Sequence, residues 1–473
     1  MRTLAALLAA AALASCTTLE PTYVRPAPPV PASWPAGDPG LRASEAALPA
    51  LSYTDVFRDP KLQALIGRAL AENRDLRIAA ANIASARAQY RVERADLLPH
   101  VDAGAGAGLS GGGGNGTHAR YSLDLGVNNF ELDLFGRIRS LSDSALNQYF
   151  ATEAAARATR LSLIAEIATA YFTYAADRSL LHIAEETQAN AERAVQLTGA
   201  RLQGGVASRI DLRQAQTVLE QAKSDAIRQT TALAQDRNAL QLLVGAPVED
   251  ALLPGNIETV DTLVGDVPAG LGSEILLRRP DVVEAEYQLI AANARIGAAR
   301  AAFFPRISLT GLLGVASSAL TSLISGGAFN FTAGANATLP IFDAGANQGN
   351  LQYARAQRDL FLARYEQTIQ IAFREVADAL ARRGTMSAEI ASQTRLVASA
   401  SDYFALSTAR YREGIDNFLD VLIAQRSLYS AQQSLTRARL ERATNLADLY
   451  RTLGGDALIE TQGFAPTRAP GVR

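Results

Sequence analysis

Four stretches of the chain alternate apolar residues with small or polar ones at a period of two. Val101, Ala103, Ala105, Ala107 and Leu109 alternate with Asp102, Gly104, Gly106, Gly108 and Ser110. After a glycine-rich turn at 111–116, Leu123, Leu125 and Val127 alternate with Ser122, Asp124, Gly126 and Asn128. Farther along, Ile307, Leu309, Leu313 and Val315 share a face. Phe329, Phe331, Ala333, Ala335, Ala337, Leu339 and Ile341 then oppose Asn330, Thr332, Gly334, Asn336 and Thr338. A period of two predicts strands. Apolar-out, polar-in runs of roughly ten residues suit a membrane barrel, whose backbone must be fully paired within lipid. A soluble sandwich with one wet face is the competing prediction. Four strands cannot close a pore, since the smallest membrane barrels need about eight. A barrel would therefore have to be shared by several chains.

Elsewhere the period lengthens. From 137 to about 201 there is no Pro and one interior Gly, Gly199, which predicts a helix of roughly 100 Å. Residues 346–411 repeat the feature, with Gly349 and Gly384 inside it. Leu161, Ile164, Ala168, Tyr171 and Ala175 fall at coiled-coil spacing. Shorter helices are expected at 61–97 and 206–244, stacked to match one long helix. Gly204-Gly205 and Gly414 read as left-handed stops at the tips of helical hairpins. The chain also aligns with itself. An offset of 209 pairs Gly136 with Gly345, Gly205 with Gly414, Asp211 with Asp420, Ala215-Gln216 with Ala424-Gln425 and Gly245 with Gly454, without a gap. An offset of 206 pairs Asp75 with Asp281 and Pro99 with Pro305. A chance register would not hold over about 110 residues, so two copies of one unit are expected, each helix, two strands, very long helix, helix.

Composition narrows the function. Of 473 residues, 48% are hydrophobic but only 6% aromatic, so the apolar content is aliphatic and helix-forming. A net charge of −2 argues against nucleic-acid binding. A single Cys excludes an intramolecular disulfide and a Cys-built zinc site. His100, His118 and His182 lie far apart, so no metal site and no cofactor are expected. The 111–116 run lacks the Lys-Ser/Thr ending of a phosphate loop. No catalytic constellation appears, and an enzyme is not expected. At the N-terminus, Arg2 precedes an apolar run and then Leu13-Ala14-Ser15-Cys16. This resembles the bacterial lipoprotein signal, in which Cys16 is acylated and becomes the first residue; an ordinary signal peptide with an incidental Cys is the alternative. Thr17 after it implies sorting to the outer membrane. A Pro-rich strap follows at 21–39.

With the lipoprotein signal and the duplication go short motifs in a fixed order. They are Phe135-Gly136-Arg137, Arg278-Arg279-Pro280-Asp281, Phe303-Phe304-Pro305, Tyr411-Arg412-Glu413-Gly414, Asp420-Val421-Leu422 and Ala424-Gln425. Together they resemble the TolC-like outer membrane factors, in particular the NodT/OprM-like lipoprotein branch, from about Pro21 to Gly455. The resemblance implies a mainly α fold with a membrane β-barrel: a homotrimer forming a twelve-stranded barrel on an α-helical tunnel. It divides the chain into a signal peptide (1–15), a lipidated strap (16–57), repeat 1 (58–245), an equatorial linker (246–273), repeat 2 (274–454) and a tail (455–473).

By position, the resemblance gives Tyr411 the role of a latch tyrosine and Asp211 that of its partner. Asp416 and Asp420 would ring the aperture, with Ile423 where some members carry a second ring Asp. Charge favoured at a helix N-terminus is the competing explanation of both acids. The resemblance further implies an exit duct of a tripartite efflux pump in the outer membrane. A periplasmic adaptor would meet the tips at Gly205, Val206, Ser208, Gly414, Ile415 and Asn417. An inner-membrane transporter of the RND type would supply energy, and outer membrane lipids would surround the barrel. A duct for type I protein secretion and a non-porous coiled-coil scaffold are the alternatives.

Overall fold

The computed structural model describes residues 18–31, 52–112, 115–265, 273–324 and 328–455. The signal peptide, Cys16, part of the strap, part of the linker and the tail beyond Gly455 lie outside the described residues. The main elements in order are α1 (Pro60–Glu72), α2 (Arg74–Ala95), β1 (Asp102–Gly112), β2 (Asn115–Leu132), α3 (Arg137–Gln203), α4 (Arg209–Val244), α5 (Pro280–Ala301), β3 (Arg306–Ser317), β4 (Phe329–Thr338), α6 (Ala346–Arg412) and α7 (Phe418–Thr452). α3 and α6 are each 67 residues long. No helix among the described residues is long and apolar enough to cross a membrane.

The chain divides into two compact units. The first holds the sheet, of order β1-β2-β3-β4 with every pair antiparallel. Residues directly opposite across antiparallel strands share a face. The register therefore builds one apolar row from Ala103, Leu125, Leu313 and Phe331, and a second from Ala105, Leu123, Val315 and Phe329. Between them runs a polar row of Gly104, Asp124, Gly314 and Asn330.

β2 continues past Asn128, where the alternation in the sequence breaks. The pairing with β3 slips between Val127 and Phe130, and Asn129 takes φ 53°, a conformation Asn tolerates better than most residues. The extra residue of this bulge shifts the phase by one. Phe130 and Leu132 thereby face Leu309 and Ile307 on the same side as Leu125 and Val127. β4 stops at Thr338 rather than 341, just ahead of Pro340, which has no N–H to give the ladder.

The strap lies in the same unit, along one stripe of α5. Arg300 donates to the Leu19 carbonyl at 3.1 Å and Asn293 to that of Pro21 at 2.7 Å. The Cα of Glu20 crosses Gly297 so closely that a Cβ there would lie 2.9 Å from it. Arg25 grips the buried Glu286 with two bonds of 2.6 and 2.8 Å, and Tyr23 donates to the same carboxylate at 3.1 Å.

The second unit carries the main core. Phe57, Leu62, Leu65, Ile66, Ile164, Ile167, Tyr171, Phe172, Leu240, Ile257 and Tyr450 are fully buried. Phe57 packs against Phe172 and Tyr450 at 6.2 and 5.5 Å between ring centres, and the Tyr171 hydroxyl donates to Asp59 at 2.7 Å. The single helix expected at 61–97 is broken at Asn73. Its side chain accepts from the N–H groups of Asp75 and Leu76, capping α2, and donates to the Leu243 carbonyl at the end of α4. Arg279 of the Arg-Arg-Pro-Asp motif is buried against Asp281, Glu375 and the Thr452 carbonyl, which ties α5 to α6 and α7.

Between α3 and α4 the carboxyls of Asp177 and Asp236 lie close enough to interact. Burial, then the charge of Asp177, pushes the Asp236 carboxyl up to about 7. The folded protein thus keeps a proton that the unfolded chain releases near the ordinary carboxylate value. Stability from this pair is full at low pH and is lost as pH rises toward about 7. Asp236→Asn is expected to raise the thermal midpoint by about 2–4 °C at pH 8, with the gain shrinking steadily as pH falls and vanishing below about 4. An equal or lower midpoint at pH 8 would contradict the raised Asp236 carboxyl.

Candidate functional site at the hairpin tips

Both hairpins turn by the same device. Gly205 and Gly414 take φ 74° and 75°. Val206 N–H reaches back to Arg201 O and Ile415 N–H to Arg410 O, each at 2.9 Å, while the glycine N–H groups bond Leu202 O and Tyr411 O at 3.0 Å. This double bond pattern closes the helix end and needs a left-handed residue, which Gly supplies without strain. The next helix starts one turn on. Ser208 caps α4 in a reciprocal box with Asp211, whose carboxylate accepts from Ser208 N at 2.9 Å and Oγ at 2.8 Å. Asn417 caps α7 by accepting from Asp420 N at 3.2 Å.

Asp416 forms a two-pronged ion pair with Arg410 at 2.5 and 2.8 Å. The guanidinium holds the Asp416 carboxyl below the usual range, and the carboxylate raises Arg410 in turn. Tyr411 is only 6% exposed. Its ring meets Phe418 edge-on at 5.4 Å and stacks under the Arg201 guanidinium at 4.6 Å. Arg201 also donates to the Tyr411 carbonyl at 2.6 Å, and the Tyr411 hydroxyl lies 3.4 Å from Thr198 Oγ1. Within one chain the Tyr411–Asp211 bond expected from the resemblance is not made. Asp211 closes its own cap, and Arg201 holds Tyr411. Sequence spacing along one hairpin carries no information on register across to the other, so Arg201 gave no signal. Val206, Ile210, Ile415, Leu419 and Ile423 leave an exposed apolar fringe on the two tips.

Higher on the same hairpins a groove of about 870 Å³ opens beside α4 and α7. Asp225 and Tyr429 lie in it, joined at 2.9 Å.

The model of the outer membrane efflux protein family matches residues 65–246 and 271–455, well over half of the sequence. The chain belongs to the outer membrane efflux protein family. It is 43% identical over 455 residues to the solvent efflux pump outer membrane protein SrpC of Pseudomonas putida, covering 94% of this chain and 96% of that one. Among solved structures, CusC matches with a TM-score of 0.84 at 39% identity, over 93% of this chain and 100% of that one. The open state of the Neisseria gonorrhoeae MtrE outer membrane channel matches with 0.83 at 36%, over 93% and 99%. The protein is therefore an efflux protein of the outer membrane, in a family of ducts rather than enzymes. The non-porous scaffold alternative is set aside.

Proposed function

We propose that three copies share one twelve-stranded barrel in the outer membrane, continuous with a tunnel of α3, α4, α6 and α7. The assembly would serve as the exit duct of a tripartite efflux pump. One observation carries this: a four-stranded antiparallel sheet has an apolar face of Leu123, Leu125, Leu313, Phe329 and Phe331, and among the described residues β1 and β4 each pair on one side only. Unpaired strand edges are not tolerated in lipid, and three sheets joined edge to edge remove them. The domain division follows: repeats at 58–245 and 274–454, joined by a linker whose Leu253, Pro254 and Asp261 carbonyls accept from Lys61, Arg178 and Arg442.

Cys16 would carry the acyl anchor. The apolar fringe at Val206 and Ile415, with Gly205, Ser208, Gly414 and Asn417 around it, would meet a periplasmic adaptor, and an RND-type transporter would drive the cargo. By analogy with the relative named for solvent efflux, that cargo is small organic molecules. Asp416 and Asp420 from three chains would face the aperture. Clustered carboxylates attract cations in a constriction, and the Arg410 clasp and the Arg201–Tyr411 contact would hold the tips closed.

The test is the assembly itself. In detergent the protein should have the mass of a trimer and, in a planar bilayer, conduct with cation preference that Asp416→Ala with Asp420→Ala weakens. Palmitate should label it, but not Cys16→Ser. A monodisperse monomer that still conducts, or label that persists without the thiol, would refute the respective part.

A further inference from the structure

The bond between Tyr429 and Asp225 is a second join between the hairpins, separate from the tip. Asp225, 8% exposed, accepts from Tyr429 Oη at 2.9 Å, from Gln221 at 3.1 Å and from Arg228. Gln221 and Arg228 stand on the same helix as Asp225, so only the tyrosine bond of these three crosses to the other hairpin. It lies about three turns into α7, roughly 17 Å from its start, and about four and a half turns into α4. Burial and the carboxylate push the Tyr429 hydroxyl up to about 12, so it remains a donor at any physiological pH. The exposed Arg228 partly neutralises Asp225 and so lets the charge stay buried.

The surroundings give this bond its leverage. Val218, Gln221, Leu422 and Gln425 line the groove about it, so close packing does not back it on every side. At the tip, by contrast, Tyr411, Phe418, Val421 and Ala215 form a buried cluster with Val195, Leu197 and Phe404 against it. Two packed helices that part at one end pivot about the next point at which they are fixed. With Tyr429 and Asp225 joined, the free arm of α7 is short; without the bond it extends farther.

We propose that Tyr429 and Asp225 are positioning residues of the duct, a second lock that sets how far the tips can part, whereas the Arg201–Tyr411 contact sets how often they do. The proposal rests on the duct reading above. The two locks predict different readouts in single-channel recording. Arg201→Ala should raise the fraction of time spent open about tenfold, with the size of the open current unchanged. Tyr429→Phe, which keeps the ring and removes one oxygen, should raise the open current itself about twofold. Asp225→Leu should reproduce that effect and add nothing to Tyr429→Phe, while Asp225→Asn, which retains an acceptor, should stay close to wild type.

Each variant is first checked for the trimer mass, and Tyr429→Phe serves as the deciding variant because Asp225→Leu carries the greater risk of misfolding. An unchanged open current in trimeric Tyr429→Phe, alongside the expected response of Arg201→Ala, overturns the second lock and leaves the duct standing. Absence of current from wild type and every variant overturns the duct reading, and the lock with it.

Discussion

Leu313→Arg is expected to abolish assembly in the outer membrane, whereas Asn330→Arg is expected to leave it intact. The two positions are neighbours in the sheet, on opposite faces. Leu313 stands in the row with Leu125 and Phe331, and the three are 58%, 54% and 70% exposed in the single chain. Asn330 pairs with Gly314 in the polar row, beside Asp124. If the apolar row is the lipid face of the proposed barrel, a guanidinium there near the bilayer centre costs about 2–4 kcal/mol per copy. In the proposed barrel of three copies that cost would multiply to the order of the whole stability of a small domain. On the polar face the same group meets water and costs little. The measurement is the amount of trimer recovered from purified outer membranes. Wild-type amounts of Leu313→Arg together with loss of Asn330→Arg would mean that the faces are reversed.

Gly245→Ala is expected to destabilise the protein by about 3 kcal/mol. Gly245 has φ 75°, and an added Cβ would lie 2.6 Å from the Glu72 carbonyl oxygen and 3.1 Å from the Asn73 Cα. The left-handed backbone alone costs about 1–2 kcal/mol for a residue with a side chain. The clash adds to this, because both contacts are backbone and cannot swing aside. Pushing Asn73 away also loosens its bond to Leu243, worth about 1 kcal/mol. Gly205→Ala is the control: φ is 74° but the space around it is empty, so only the backbone cost of about 1–2 kcal/mol applies. Urea unfolding of the two variants separates the terms. Equal losses would show that the contact with α1 contributes nothing.

The long helices were legible because α3 and α6 hold no Pro and almost no Gly, and the tips because Gly205 and Gly414 mark left-handed turns wherever they fall in a helical pattern. Most of the strand alternation was legible for the same local reason. The end of β2 was not, since the bulge at Asn129 breaks the period of two in the sequence while keeping it in space. The break at Asn73 was hidden too. Asn is neither Gly nor Pro; its side chain caps α2 locally and is anchored by a carbonyl 170 residues away, a contact that no local period announces. The tip acids and Tyr411 could be nominated from position, but their partners could not. Arg201 over Tyr411 and Tyr429 on Asp225 depend on how two hairpins lie side by side, about which the period of either one is silent.

The grip of α5 on the strap has a consequence for the order of events in folding. Arg25 and Glu286 are 261 positions apart. Loop closure of that length is slow and entropically costly until the intervening chain has compacted. Thr18 lies against Gly136 early in the chain, but the bonds of the strap to α5 cannot form until about three fifths of the polypeptide has emerged. The seating of the strap along Glu286, Asn293, Gly297 and Arg300 is then a late event, a seal rather than a seed from which folding starts.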